Sequence, residues 1–485
     1  MRSFYFFDYE TFGTDPAMDW PAQFAGIRTD EHLNEIAEPL NIYCRLPDDH
    51  LPHPEACLVT GLTPQKVNEQ GVTEPEFISQ IHREFMMPGT CATGYNSIRF
   101  DDEVTRHSLY RNFYDPYARE YKNGNSRWDL IDLTRLTEAL RPEGICWPVN
   151  EEGHPTFRLE KLTSANGIDH EEAHDAVSDV RATIAWARLL REKQPKVYYF
   201  VLKNRGKHQV ASLLNFTEQA MVVHVSGMYG AARHNIAVVM PLASHPDNKN
   251  AIIVYDLSVD PESLLSLSVE RIREQLFTPT EEKKTESVSI PLKNVHINKC
   301  PVVAPVNVLR DRDQKRLKID LSVCARHREQ LLASRDLYKK VQAVFSRPED
   351  WKKHDDPELM LYSGGFFSPQ DRITMNQLIS SAPEQLKSFQ GKFHDDRLDE
   401  LLFRYRGRHY SQFLDKQEEI RWHQHKVRCL LSSDSYQLSI AACRRSIAEL
   451  NNSAHFDLQN KEKEVLDEIT TYIDNVEQSL NGSNV

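Results

Sequence analysis

Several features that define whole classes of protein are missing from this sequence. No Cys-x-x-Cys pair occurs among the eight cysteines, at positions 44, 57, 91, 146, 300, 324, 429 and 443. That excludes the usual zinc-site spacings and points to reduced, mostly buried thiols in a reducing compartment. No apolar run is long enough to span a membrane. The N-terminus enters a strand pattern at once, with no basic region and no small-residue cleavage site, so a cytoplasmic protein with no membrane partner is expected. Positive charge is in deficit, with a formal net charge of -12. Taken globally, this argues against nucleic-acid binding. Acids gathered at a metal site and in a tail would still leave basic residues free to line one face. No internal repeat is visible.

What is present is length and a normal globular balance. The 485 residues are too many for one ordinary core, so two or three domains are expected. The stretch Phe4-Tyr5-Phe6-Phe7-Asp8-Tyr9-Glu10-Thr11 reads as a buried strand that ends in acid. Alternation along a strand puts Phe4, Phe6, Asp8 and Glu10 on one face. Two carboxylates so close resist joint ionisation unless a cation sits between them. On these residues alone, a strand running out into a polar turn explains them equally well.

Strand patterns at Gln23–Arg28 and Asn41–Arg45 complete a three-stranded antiparallel meander. Residues 62–87 read as helical, with Thr73-Glu74-Pro75-Glu76 as a capping pattern. A strand near Cys91–Tyr95 runs into a helix opening over Asn96–Glu103, and helical patterns cover 129–140, 158–165 and 175–193. This makes residues 1–194 an α/β domain. Residues 195–345 carry short β-type runs at Ala220–Val225, Ile236–Met240, Ala251–Tyr255 and Val295–Ile297, the pattern of a small, mostly β domain. From 346 the chain turns helical, over 384–389, 398–405, 415–431, 434–451 and 457–480. Residues 347–357 read as a linker, and 481–485 as a fraying end.

Other acids have the spacing to join the first pair. Asp101 or its neighbour Asp102 opens a helix, where N-capping is the bland alternative for either. Asp175 is a good N-cap for the 175–193 helix and leaves His174 just outside it. Asp179 falls on that helix's apolar stripe, beside Ala176 and Thr183, where a carboxylate is costly unless it is paired or binds a cation. Hard oxygen donors without cysteine suit Mg²⁺ or Mn²⁺. Two such ions roughly 3.5–4 Å apart support the attacking and leaving oxygens of phosphoryl transfer. A histidine nearby is suited to take a proton from water. The chemistry that fits is metal-assisted hydrolysis of a phosphodiester.

Asp8-Tyr9-Glu10-Thr11, Asn96…Phe100-Asp101 and His174-Asp175-Ala176…Asp179 resemble, in order, the three motifs of the DEDD exonuclease superfamily, histidine subtype. The runs Asp8–Thr14, Tyr95–Arg106, Ser126–Leu130, Leu140–Trp147, Phe157–Leu162, His224–Gly230, His296–Pro301 and Gly365–Ser368 resemble bacterial exodeoxyribonuclease I. The likeness covers nearly the whole chain and thins after about 345. It implies a ribonuclease-H-like exonuclease domain with a mixed sheet (1–194), an SH3-like β-barrel domain (195–345) and an α-helical C-terminal domain (346–485). It implies 3′→5′ degradation of single-stranded DNA to 5′-mononucleotides, in repair and recombination. Asp8, Glu10, Asp101 and Asp179 would hold two Mg²⁺ ions, with Mn²⁺ as a substitute, and His174 would act as general base. The motif favours Asp101 over Asp102, which is then read as a cap. An exoribonuclease of the same superfamily and a catalytically silent nucleic-acid-binding adaptor are the alternatives. The long extra domains and the complete acid set argue against them.

Single-stranded DNA needs a basic track and aromatic platforms. Arg106 and Tyr117 belong to a basic and aromatic run after Asp101. Phe157 and Arg158 stand where the resemblance implies a stacking ring and a phosphate contact, and Glu10 reaches the substrate. Arg135 is a further DNA contact. Basic clusters at Lys203–His208, Arg310–Lys318 and Arg404–Arg408 would line a channel. The resemblance also implies a monomer that docks the acidic tail of single-stranded-DNA-binding protein, with Arg141 and Arg310 as its basic surface.

Overall fold

The structure is a computed structural model, and it describes residues 2–170, 175–278, 290–346, 354–432, 436–452 and 460–482. The chain divides into two compact units that do not follow chain order: 1–126, 170–181 and 352–485 in the first, 127–169 and 182–351 in the second. No helix among the described residues is long and apolar enough to cross a membrane.

In the first unit, β1 (Ser3–Thr11) lies between β2 (Pro21–Thr29) and β4 (Thr90–Gly94), with β3 (Leu40–Tyr43) outside β2. The β1–β2 and β2–β3 pairs are antiparallel and β1–β4 is parallel, so the sheet is mixed and contains the expected meander. Aromatic side chains fix the central strand. Phe7 meets Phe85 edge-on at 4.9 Å, and Tyr9 meets Phe24 at 4.8 Å.

Three helices lead to β4: α1 (Pro54–Thr60), α2 (Pro64–Gln70) and α3 (Glu74–Phe85). The single helical stretch read over 62–87 is thus two helices, broken after Gln70, and α1 precedes them. The break lies beside the capping box of Thr73 and Glu76, which starts α3. α4 (Asp101–Arg111) is buried along its whole length despite three acids and two arginines. Four of those charges sit in ion pairs: Asp102 with Arg119, Glu103 with Arg106, and Arg111 with Glu74.

The helical region supplies Pro369–Ile379, Asp396–His409, Lys416–Leu431, Ile440–Asn452 and Asn460–Gly482. Pro383–Phe389 is a 3₁₀ segment, a tighter version of the helix read there. Leu466, Ile469 and Ile473 of the last helix share one hydrophobic core with Tyr5, Phe7, Tyr9 and Phe24. The starts read at 434 and 457 lie outside the described residues. So does most of the 347–357 linker, and of the tail only 481 and 482 are described. Beside the linker's end, Glu358 is no solvated spacer: it is buried and accepts from Arg404 and Arg408.

In the second unit, β5 (Ser126–Asp129), which carries the chain in from the first, leads to α5 (Leu130–Leu140). α6 (Leu159–Ala165) follows. α7 (Ala176–Lys193) starts in the first unit and ends in the second. β6 (Val222–Val225), β7 (Ile236–Ser244), β8 (Ala251–Asp256), β9 (Leu292–His296) and β10 (Val303–Pro305) form an antiparallel sheet in the order β10-β6-β7-β8-β9. Val222, Val239, Ile252, Val254, Val295 and Val303 fill its core.

A buried charge network joins the early and late segments of the first unit. Arg408, 3% exposed, bonds both oxygens of Asp49, which is fully buried, and donates to Glu358. Burial opposes charge on Asp49, yet Arg408 and His50 hold its carboxyl well below the usual range. Replacing Arg408 with Met removes the guanidinium that two buried carboxylates share, leaving Asp49 to His50 and His425 and Glu358 to Arg404. A loss of about 3–5 kcal/mol is expected in denaturant unfolding; a change under about 1 kcal/mol would contradict the network's role.

Candidate active site

The alternation of β1 brings Asp8 and Glu10 out at its end on one face. The first turn of α7 adds Asp179. Carboxylate oxygens of Asp8, Glu10 and Asp179 lie within 4.8 Å of one another. Asp101 is the first residue of α4, and its Oδ1 accepts the backbone N–H of Tyr9 at 3.1 Å. The fourth acid is therefore tied to the peptide between the first two.

The approach of α7 is also fixed. Gln23, the cross-strand partner of Glu10, donates to Asp175 Oδ1 at 3.4 Å. The other oxygen of Asp175 accepts the Ser178 N–H at 3.1 Å, as a helix cap does. Tyr9, on the opposite face of β1, is packing: it is buried, and its hydroxyl accepts from Thr105 at 3.0 Å.

The electrostatics follow from this crowding. Burial first, then Asp101, Glu10 and Asp179, push the Asp8 carboxyl well above its ordinary value, against a backbone bond from Tyr9. Burial, Asp179, Asp101 and Asp175 push Glu10 up to about 8. Without a cation the group holds protons it would otherwise release. Clustered hard oxygen donors of this kind fit a divalent ion. Asp8, Glu10 and Asp179 would hold it, with Asp101 beside them.

His174 lies outside the described residues. His170, which the sequence reading passed over, hydrogen-bonds Asp179 through Nε2 and is buried at its side chain. Its only signal in the sequence is its place four residues before His174, in the same segment.

Other expected contacts fare differently. Asp102, read as a cap, pairs with Arg119, and both side chains are buried. Arg106 is buried, and its guanidinium is spent on Glu120, Glu103 and the Tyr362 hydroxyl. It offers no free face to a phosphate, which corrects the DNA-contact reading. Tyr117 is half-buried, with Arg106 over its ring at 5.5 Å and Phe366 edge-on at 6.0 Å. The open aromatic there is Phe366, 81% exposed, whose signal was the glycine pair before it. Arg406 and Arg408 are buried among carboxylates and cannot line a channel, and buried Arg404 gives its Nη1 to Asp356 and Glu358.

In the second unit, Arg135 bonds Asp132 at 2.7 Å and lies 5.9 Å from the centre of the half-buried Phe157 ring. Arg158 next to it is exposed. Arg141 and Arg310 converge on Asp313, at 3.1 and 2.8 Å. Burial and its neighbour Arg310 lower the Arg141 guanidinium, while the Asp313 bond raises that of Arg310.

The family model described as "Exonuclease" matches residues 5–186, the stretch that carries these acids, and makes this an exonuclease domain. The models described as "Exonuclease I SH3-like domain" and "Exonuclease I C-terminal domain" match residues 205–347 and 355–476. The chain belongs to the exodeoxyribonuclease I family. It is 49% identical over 425 residues to exodeoxyribonuclease I of Haemophilus influenzae, covering 87% of this chain and 90% of the relative. The solved exonuclease I of Methylocaldum szegediense is 50% identical, with a TM-score of 0.93, covering 98% of this chain and all (100%) of that one. E. coli exonuclease I in complex with a dA16 oligonucleotide is 43% identical, with a TM-score of 0.93 and the same coverage, 98% and 100%.

The raised Glu10 carboxyl has a measurable consequence. A group whose pKa is higher in the folded state contributes stability at low pH, and that stability is lost as pH rises. The metal-free protein should lose thermal stability between the ordinary carboxylate range and pH of about 8. Added Mg²⁺ should restore it, more so at the alkaline end, because binding requires the proton to leave. A melting temperature that rises over this window in EDTA would contradict the crowded-acid account.

Proposed function

We propose that this protein is a Mg²⁺-dependent 3′→5′ exonuclease that degrades single-stranded DNA to 5′-mononucleotides, in repair and recombination. The convergence of Asp8, Glu10 and Asp179 at one strand end carries the reading. In it, Asp8, Glu10, Asp101 and Asp179 hold two ions, with Mn²⁺ able to substitute. Bound there, the ions supply positive charge to the attacking and leaving oxygens of the phosphodiester.

The protein's own groups do the rest. His174 takes the proton from the attacking water. His170 orients the Asp179 carboxylate, as the partner of a ligating group does. Phe157 and Phe366 offer faces for bases, Arg158 takes a phosphate, Arg135 steadies Phe157, and Glu10 reaches the terminal nucleotide. The domains run 1–194, 195–345 and 346–485. Arg141 and Arg310, organised on Asp313, receive the acidic tail of single-stranded-DNA-binding protein. The chain works as a cytoplasmic monomer.

The deciding experiment incubates 5′- and 3′-labelled single-stranded DNA, duplex DNA and RNA with the enzyme, with and without Mg²⁺. Release should start at the 3′ label, require the ion and be confined to single-stranded DNA. Asp179→Ala should abolish release while binding persists in EDTA. His174→Ala should lower the rate on the order of 10²–10⁴-fold. Near-normal activity of Asp179→Ala would remove the metal assignment.

A further inference from the structure

A second site lies in the first unit, away from the acid cluster. A cavity of about 310 Å³ is walled by Trp20, Arg111, Asp356, Glu358, Arg404 and Arg428, among others. That size is at the low end of the roughly 300–1,000 Å³ of small-molecule pockets. It suits one nucleotide rather than a strand.

The arginines around it are only partly spent. Arg111 and Arg404 have side chains 4% exposed. Arg111 gives Nη2 to Glu74 and Ser108, while its buried Nε has no partner among the described residues. Arg404 gives Nε to Glu400 and Nη1 to Asp356 and Glu358, and its Nη2 bonds nothing among the described residues. Arg428 is exposed, and its one described contact is with the His425 ring at 3.3 Å. Guanidinium donors left over on three residues that line one cavity are a means of recognising a phosphate.

The acids set the other half of the ligand. Glu358 is consumed by Arg404 and Arg408. Asp356 uses Oδ1 for Arg404 and the Glu358 N–H, which leaves Oδ2 as an acceptor. A bare polyanion would meet this carboxylate. A ligand with an anionic end and an amine at the other would satisfy both walls. Trp20 offers no stacking face, since Arg111 and Arg408 lie over its ring at 4.3 and 5.1 Å. Recognition of the base therefore falls to hydrogen bonds and to the exposed ring of Tyr436 on the same wall.

We propose that this cavity binds a nucleoside 5′-monophosphate whose base carries an exocyclic amine. The phosphate rests on Arg111, Arg404 and Arg428, and the amine donates to Asp356. Trp20 ends the loop that leaves Glu10, its carbonyl accepting the Phe12 N–H at 2.9 Å, so an occupant would sit at the far end of that loop.

The test is calorimetric titration of the full chain in EDTA with dAMP, dTMP, deoxyadenosine and inorganic phosphate. Binding of dAMP should saturate, and the other three should be weaker by about tenfold or more. Arg428→Ala, at an exposed side chain, should weaken dAMP by a similar factor with an unchanged melting temperature, and Arg428→Lys should recover part of it. Absence of saturation overturns the proposal, as does phosphate binding as tightly as dAMP. Loss of binding in Asp8→Ala with none in Arg428→Ala would place the nucleotide at the acid cluster and overturn it too. Because no divalent ion is present, the result is independent of whether the nuclease reading holds.

Discussion

Mutual repulsion among half-buried carboxylates is the constraint on which this structure turns. Asp8, Glu10 and Asp179 crowd together with Asp101 close by, and each would separate if it were free to. They are not free. The aromatic packing of β1 holds the first two, the Tyr9 N–H holds Asp101, and Gln23 and His170 hold the start of α7. The fold thereby stores an unfavourable charge arrangement that a cation relieves. Such preorganisation at the expense of stability is a common signature of a working site.

Much of this was legible in the sequence, and the reason is local. The period of two along Phe4–Glu10 and the stripe on α7 each specify a face, and faces bring distant acids together once strand and helix are packed. The mixed sheet and the antiparallel second sheet follow from the same periodicities. Arg106 shows where such reading ends. A basic and aromatic run looks the same whether its charges meet phosphates or carboxylates. The partners of Arg106 include Tyr362, 256 residues away. Asp102 is a similar case: a helix-opening acid reads as a cap until Arg119 is seen across from it. The Arg404–Arg408 cluster repeats the lesson, because Asp49 and Glu358 come from other parts of the chain.

The acidic balance of the protein takes on a different meaning beside these networks. Many arginines of the first unit are internal struts, neutralised by acids that are equally internal. Net charge then says little about the surface a strand of DNA would meet. The surface is set instead by exposed groups such as Arg158 and Phe366.

The last helix has a bearing on how the protein is made. Asn460–Gly482 packs on α1 and α2, where Gln65 donates to the Glu468 carbonyl at 2.6 Å, and it shares the core of β1. A ribosome delivers residues 54–70 long before their cover. Until that cover arrives an apolar face stays open, the kind of surface that exposes a growing chain to aggregation. Any truncation that removes the final helix leaves the defect at the opposite end of the sequence, beneath the strand that carries Asp8 and Glu10.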